Sequence, residues 1–160
     1  MKNKEVDVDL AEDCEKLQGF LAEADQKLSS YDEYVGELLS GRLNWTPVHK
    51  SQKFWRENVH KFNENKYLLL HKLGAILENR SSDAVELQVA CNDLGEYTRY
   101  YPRGKAVLDT LKIKNQVMQL LTHRDKLVKY QALLAVQKMM VQDWEYLAKN
   151  NSGAKGLAMA

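Results

Sequence analysis

Two tryptophans, a phenylalanine, a histidine and three basic side chains crowd into sixteen positions from Leu43 to Asn58, LNWTPVHKSQKFWREN. Cations interleaved with rings can clamp a single strand of nucleic acid, because bases stack on aromatics while phosphates meet Lys and Arg. The same residues can build a structural corner whose outer side, His49, Lys50, Lys53 and Arg56, faces a protein partner. Catalytic chemistry has less to stand on. Pro102-Arg103-Gly104-Lys105 lacks both the upstream glycine and the Ser or Thr after the lysine that a phosphate-binding loop needs. His49, His60, His71 and His123 show neither HExxH spacing nor a neighbouring cysteine pair, so no zinc site is expected. Carboxylates abound, but no glycine-rich nucleophile elbow or single poised cysteine accompanies them. The sequence therefore implies no catalytic residue, no metal and no cofactor.

The elements that must position these side chains are helical by composition. With 44% hydrophobic and 28% charged residues, the 160-residue chain suits one domain with a real core. Only two prolines and eight glycines leave few breaks for a turn-rich sheet. Cys14 and Cys91, with no secretory signal before them, read as reduced, buried small hydrophobes in a cytosolic setting. No apolar run approaches the roughly 20 residues of a membrane span, so direct membrane insertion is not expected. The net charge of +1 hides an asymmetry: Glu5 to Gly41 holds eleven acids against two bases, while nineteen bases face eleven acids from Arg42 onward. The two halves can neutralise each other within the fold or meet charged partners.

Leu10, Cys14, Leu17, Leu21, Ala24 and Leu28 alternate four and three apart, which predicts one stripe on a long helix. Ser30-Tyr31-Asp32-Glu33 has the pattern of a capping box, so a second helix is expected through Tyr34 and Leu38 to Gly41, making a helical hairpin. Pro47 interrupts the pattern, and Ser51 caps a helix whose Trp55, Val59 and Phe62 face the core while Trp45 wedges the corner. Half of the aromatics thus face inward, which weakens the nucleic-acid reading.

The second half repeats itself. Leu69, Leu73, Ile76 and Leu77 return forty-four residues later as Ile113, Val117, Leu120 and Leu121. Asp83, Ala90, Cys91, Leu94 and Tyr97 return at an offset of forty-two as Asp125, Ala132, Leu133, Val136 and Met139. The difference of two falls in the connecting loop, which is longer in the first copy. The period lies in the roughly 40–47-residue range of armadillo and HEAT units, whose helix pairs bury their apolar faces by stacking. Pro102 and Gly104 end one long helix and allow a short one around Val107, Leu108 and Leu111. The last helix, from Asp125 to about Tyr146, is apolar on several sides and is expected at the centre of the stack, with Met118, Met139 and Met140 as core filling. The fold class is therefore all-α: an armadillo/HEAT-like α-solenoid of about two repeats preceded by a helical hairpin. Residues 1–8 read as an extension, 9–147 as a single domain and 148–160 as a flexible tail.

LNWTPVHKSQKFWREN, DLGEYTRYYPRGKAVLD from Asp93 to Asp109 and HRDKLVKYQALLAVQKMMVQDWEYL from His123 to Leu147 together resemble the C-terminal domain of the H subunit of the vacuolar-type proton-pumping ATPase (V-ATPase). The segments stand in family order at family spacing. The resemblance implies a non-enzymatic regulatory subunit, peripheral to the cytoplasmic face of vacuolar, endosomal or other acidic-organelle membranes. It would bridge the soluble catalytic sector to the cytosolic domain of the membrane-bound a subunit, support coupled ATP hydrolysis and proton transport, and silence ATP hydrolysis in the detached sector. Its implied partners are other V-ATPase components, namely catalytic-sector and central-rotor subunits together with the a subunit, and no nucleic acid. The resemblance places an inhibitory loop at Glu78, Asn79, Arg80, Ser81, Ser82 and Asp83, where Ser82 or Asp83 with Glu86 can also cap the next helix. An armadillo-like adaptor that binds a linear peptide is the alternative.

Overall fold

The computed structural model describes the backbone of residues 3–158 and the side chains of residues 12, 14–22, 30–141, 148, 149 and 151. Among these residues the chain is helical and has no strand. Seven α-helices follow in order: α1 (Asn3–Leu39), α2 (Gln52–Asn58), α3 (Glu64–Glu78), α4 (Ala84–Tyr100), α5 (Gly104–Thr110), α6 (Ile113–Gln119) and α7 (Lys126–Ala158). Short 3-10 turns at Pro47–Lys50, Val59–Asn63 and Leu120–Thr122 join them.

The expected hairpin is absent, because α1 runs unbroken through Ser30-Tyr31-Asp32-Glu33. A capping box starts a helix only where the chain arrives extended, and no proline or glycine between Phe20 and Val35 interrupts the helix already formed. The helix instead ends at Gly41, whose left-handed φ of 77° lets its N–H donate to the Leu38 carbonyl at 3.1 Å. Among the described residues, α1 docks through its C-terminal end. Tyr34 and Leu38 are buried, whereas Leu17, Phe20 and Leu21 are exposed. Cys14 is exposed as well, against the expectation of a buried thiol, while Cys91 is buried and burial pushes its pKa up to about 12. Leu10, Ala24 and Leu28 of the expected stripe have side chains outside the described residues.

Beyond the first helix, Ser51 caps α2 by accepting the Phe54 N–H at 3.2 Å. Tyr34, Phe54, Trp55, Phe62 and Tyr97 pack ring against ring, with neighbouring centroids 5.1–6.2 Å apart. This cluster ties α1 and α2 to α4. Full burial of Trp55 alone removes on the order of 150–250 Å² from water, worth about 4–6 kcal/mol by area.

The two sequence-related helix pairs pack on each other: α3 against α4 and α6, α6 against α7, and α4 along α7. The loops between partners hold residues 79–83 in the first copy and 123–125 in the second. The central helix is α4 and not α7, since every residue from Leu87 to Thr98 is buried. Leu133 and Met140 of α7, and Met118 of α6, are about half exposed instead of filling the core. Among its described side chains, α7 buries one side, through Val128, Ala132, Ala135 and Met139. Close approach of α4 and α7 requires Gly95, where a Cβ would meet the Ala135 Cα at 3.0 Å. Residues 150–158, expected as an aperiodic tail, continue α7 as helix. They contain no proline to stop the helix already under way, although Gly153 and Gly156 disfavour it. At the start of α3, Asn65, Lys66 and Tyr67 adopt left-handed φ values of 52°, 56° and 62°, and no residue type there except Asn favours that geometry.

Candidate functional site

The turn between α3 and α4 is short, exposed and internally braced. Asn79 N–H donates to the Ala75 carbonyl at 3.0 Å and closes α3. The Asn79 side-chain oxygen then accepts the Ser81 N–H at 3.0 Å, and its backbone carbonyl accepts the Ser82 N–H at 3.1 Å, which folds the turn on itself. Ser82 Oγ donates back to the Ile76 carbonyl at 2.8 Å. Asp83 opens α4 with a reciprocal capping box in which its own N–H donates to Glu86 Oε2 at 3.1 Å. Glu78 accepts a hydrogen bond from Gln116 of α6, which ties the turn to the second helix pair. The predicted cap of α4 therefore forms. The side chains of Glu78, Asn79, Arg80, Ser81 and Asp83 are exposed, and clefts of about 490 and 540 Å³ flank them on two sides.

The corner from Leu43 to Asn58 divides into an outer and an inner face. Lys50, Lys53 and Arg56 are exposed as expected, with the Lys50 ammonium 4.8 Å from the Trp45 ring centre. His49 does not join them. It is fully buried, with Nδ1 at 2.8 and 2.9 Å from the two carboxylate oxygens of Asp93, itself fully buried on α4. Asp93 also accepts the Tyr34 hydroxyl of α1 at 2.9 Å and an Asn92 amide N–H at 3.2 Å. The His49 carbonyl accepts from Trp55 Nε1 and from the Asn92 amide, each at 3.0 Å. Glu37 Oε2 lies 3.8 Å from His49 Nε2, which has no hydrogen-bond partner.

Burial disfavours an imidazolium at His49, yet the hydrogen bond and charge of Asp93, with Glu37 behind them, outweigh it and raise the His49 pKa above its ordinary value. Burial likewise raises Asp93, against the opposing pull of His49, Tyr34 and Asn92. Tyr34 is pushed well above the usual phenol range, first by burial and then by Asp93. This network joins α1, the corner and α4. Sequence reasoning did not find it, although one acid set among Val89, Ala90, Cys91 and Leu94 is the signal that marks a buried charge.

Both regions fall within a stretch that matches known proteins. The family model for the H subunit of the V-ATPase matches residues 27–144. The chain is 57% identical over 143 residues to the V-type proton ATPase H subunit of Drosophila melanogaster, covering 89% of this chain and 30% of that protein. It is 52% identical over 143 residues to a probable V-type proton ATPase H subunit of Caenorhabditis elegans, covering 89% and 30%. It is 43% identical over 141 residues to the V-type proton ATPase H subunit of Dictyostelium discoideum, covering 88% and 32%. This chain belongs to the V-ATPase H-subunit family. It corresponds to the C-terminal domain and spans about 30% of the length of the curated H subunits it matches.

The matched residues of this H-subunit domain include the Glu78–Asp83 turn, the basic side chains of the corner and the buried network beneath them. Among the described residues, no three His, Cys, Asp or Glu side chains stand together in a way that could hold a metal ion. No described helix is long and apolar enough to cross a membrane.

Proposed function

We propose that this chain is a non-catalytic regulatory module of the V-type proton ATPase, built over residues 9–147 as a two-unit armadillo/HEAT-like stack. It bridges the soluble catalytic sector to the cytosolic domain of the membrane-bound a subunit in the assembled pump, at the cytoplasmic face of acidic organelles, and so supports coupled hydrolysis and proton transport. In the detached sector it silences ATP hydrolysis through the turn Glu78, Asn79, Arg80, Ser81, Ser82 and Asp83, while Lys50, Lys53 and Arg56 offer a second contact surface. The observation that carries this reading is the form of that turn, which exposes polar side chains while backbone and side-chain hydrogen bonds hold it to α3, α4 and α6. A rotary motor stops when a stiff body ties a rotating part to a static one, and mutually packed helix pairs are stiff because neither can shift without opening its neighbour's core.

The test replaces Asn79 to Ser82 with glycine and serine and adds wild-type or altered chain to catalytic sector stripped of its H subunit. Wild-type chain suppresses ATP hydrolysis, and the altered chain keeps its helical circular dichroism but loses most of that suppression. Equal suppression by both chains contradicts the assignment.

A further inference from the structure

The Glu78–Asp83 turn is one wall of the 490 Å³ cleft, and the other wall is the corresponding turn of the second helix pair, His123, Arg124 and Asp125. Leu77, Leu87 and Leu120 contribute its apolar lining. The polar groups of the cleft divide by charge. Each of its carboxylates is tied to a neighbour through one oxygen: Glu78 takes a hydrogen bond from Gln116, and Asp125 Oδ1 accepts the N–H groups of Leu127 and Val128 at 2.9 and 3.1 Å as the cap of α7. His123 Nδ1 accepts the Asp125 N–H at 3.0 Å, which leaves Nε2 as the protonated, donating nitrogen. The cations are not engaged. Arg80 and Arg124 are exposed, and among the described residues neither has an ion pair or hydrogen bond. The cleft thus sets two unpartnered guanidinium groups beside two carboxylates already tied to their neighbours, over an apolar base.

We propose that this cleft, and not the first turn alone, is the contact surface, and that it takes an acidic segment of a neighbouring protein in the pump. Arg80 and Arg124 hold its carboxylates, whose planar geometry matches the guanidinium fork, while an apolar side chain of the same segment covers the partly exposed Leu120. The inference rests on the reading of the Glu78–Asp83 turn as the partner contact and adds to it the second turn and the chemistry of the partner.

Two double variants, Arg80→Glu with Arg124→Glu and Arg80→Lys with Arg124→Lys, test it against catalytic sector stripped of its H subunit. Both positions are exposed, so both variants keep the wild-type melting temperature. Charge reversal weakens binding about tenfold or more, and wild-type affinity falls as salt rises. The lysine pair gives a second readout: carbodiimide, which joins an amine to a carboxylate without a spacer, links the introduced amines to Asp or Glu of a sector protein, as mapped by mass spectrometry. Unchanged binding on charge reversal, or no such link, overturns the cleft. If the Gly/Ser replacement of the first turn still weakens silencing in that case, the function stands without it. If that replacement is also silent, both fall.

Discussion

His49 shows how one residue can belong to a basic, aromatic stretch and yet serve the interior. Its neighbours Lys50 and Lys53 face solvent, but its ring is held by Asp93, forty-four positions away. No local pattern separates these cases, because burial at position 49 is decided by a carboxylate on another helix. Trp55 as core and Ser51 as a cap were legible, since both follow from spacing within one helix. Asp93→Ala leaves a buried imidazole and the Tyr34 hydroxyl without their acceptor, so urea unfolding will show a loss of about 3–5 kcal/mol.

The raised His49 pKa also fixes a sign for pH. A proton held more tightly in the folded state stabilises fully below the unfolded value of about 6.5 and is lost as pH rises through the folded value. Asp93 is raised too and adds a dependence of the same sign at lower pH, above about 3.8. The melting temperature of the wild-type chain will therefore fall as pH increases from about 6.5 through the His49 titration. In His49→Gln that part of the slope disappears. An NMR titration that places His49 below the ordinary histidine range contradicts the assignment.

At the scale of elements, the all-helical character was the most legible feature, because helix periodicity survives where individual residues do not. The loops even keep their predicted difference of two residues. Three features were not legible, each for a physical reason. The capping pattern at Ser30 is local, and the helix propensity on both sides overrides it. The left-handed start of α3 includes Lys66 and Tyr67, which announce no preference for positive φ. The apolar breadth of α7 does not reveal which side is covered, and α4 takes the centre because α2, the corner, α3, α5 and α7 all pack around it. The α4–α7 crossing depends on Gly95, whose missing Cβ admits the Ala135 backbone. Gly95→Val should overpack that crossing and cost about 1–3 kcal/mol or more in chemical denaturation. Gly36, with nothing near its Cβ direction, should accept alanine without loss.

For the molecule as a whole, the packed helices form a body that exposes a braced turn between α3 and α4, tied to α6 through Glu78. Family membership was legible in three sequence segments and agrees with the match over residues 27–144. The joint cleft was not legible, since it depends on two loops separated by more than a complete helix pair in sequence and adjacent only in the packed stack. Such a body can work as a mechanical stop only if it holds the rotor of the detached sector against its static shell. Single-molecule rotation of sector stripped of its H subunit, with a bead on the rotor, tests that claim most directly. Adding wild-type chain should produce long pauses that end when the chain dissociates, and chain with Asn79 to Ser82 replaced by glycine and serine should leave rotation running. Hydrolysis that falls while rotation per ATP stays unchanged, or equal pausing with the replaced turn, would contradict the account.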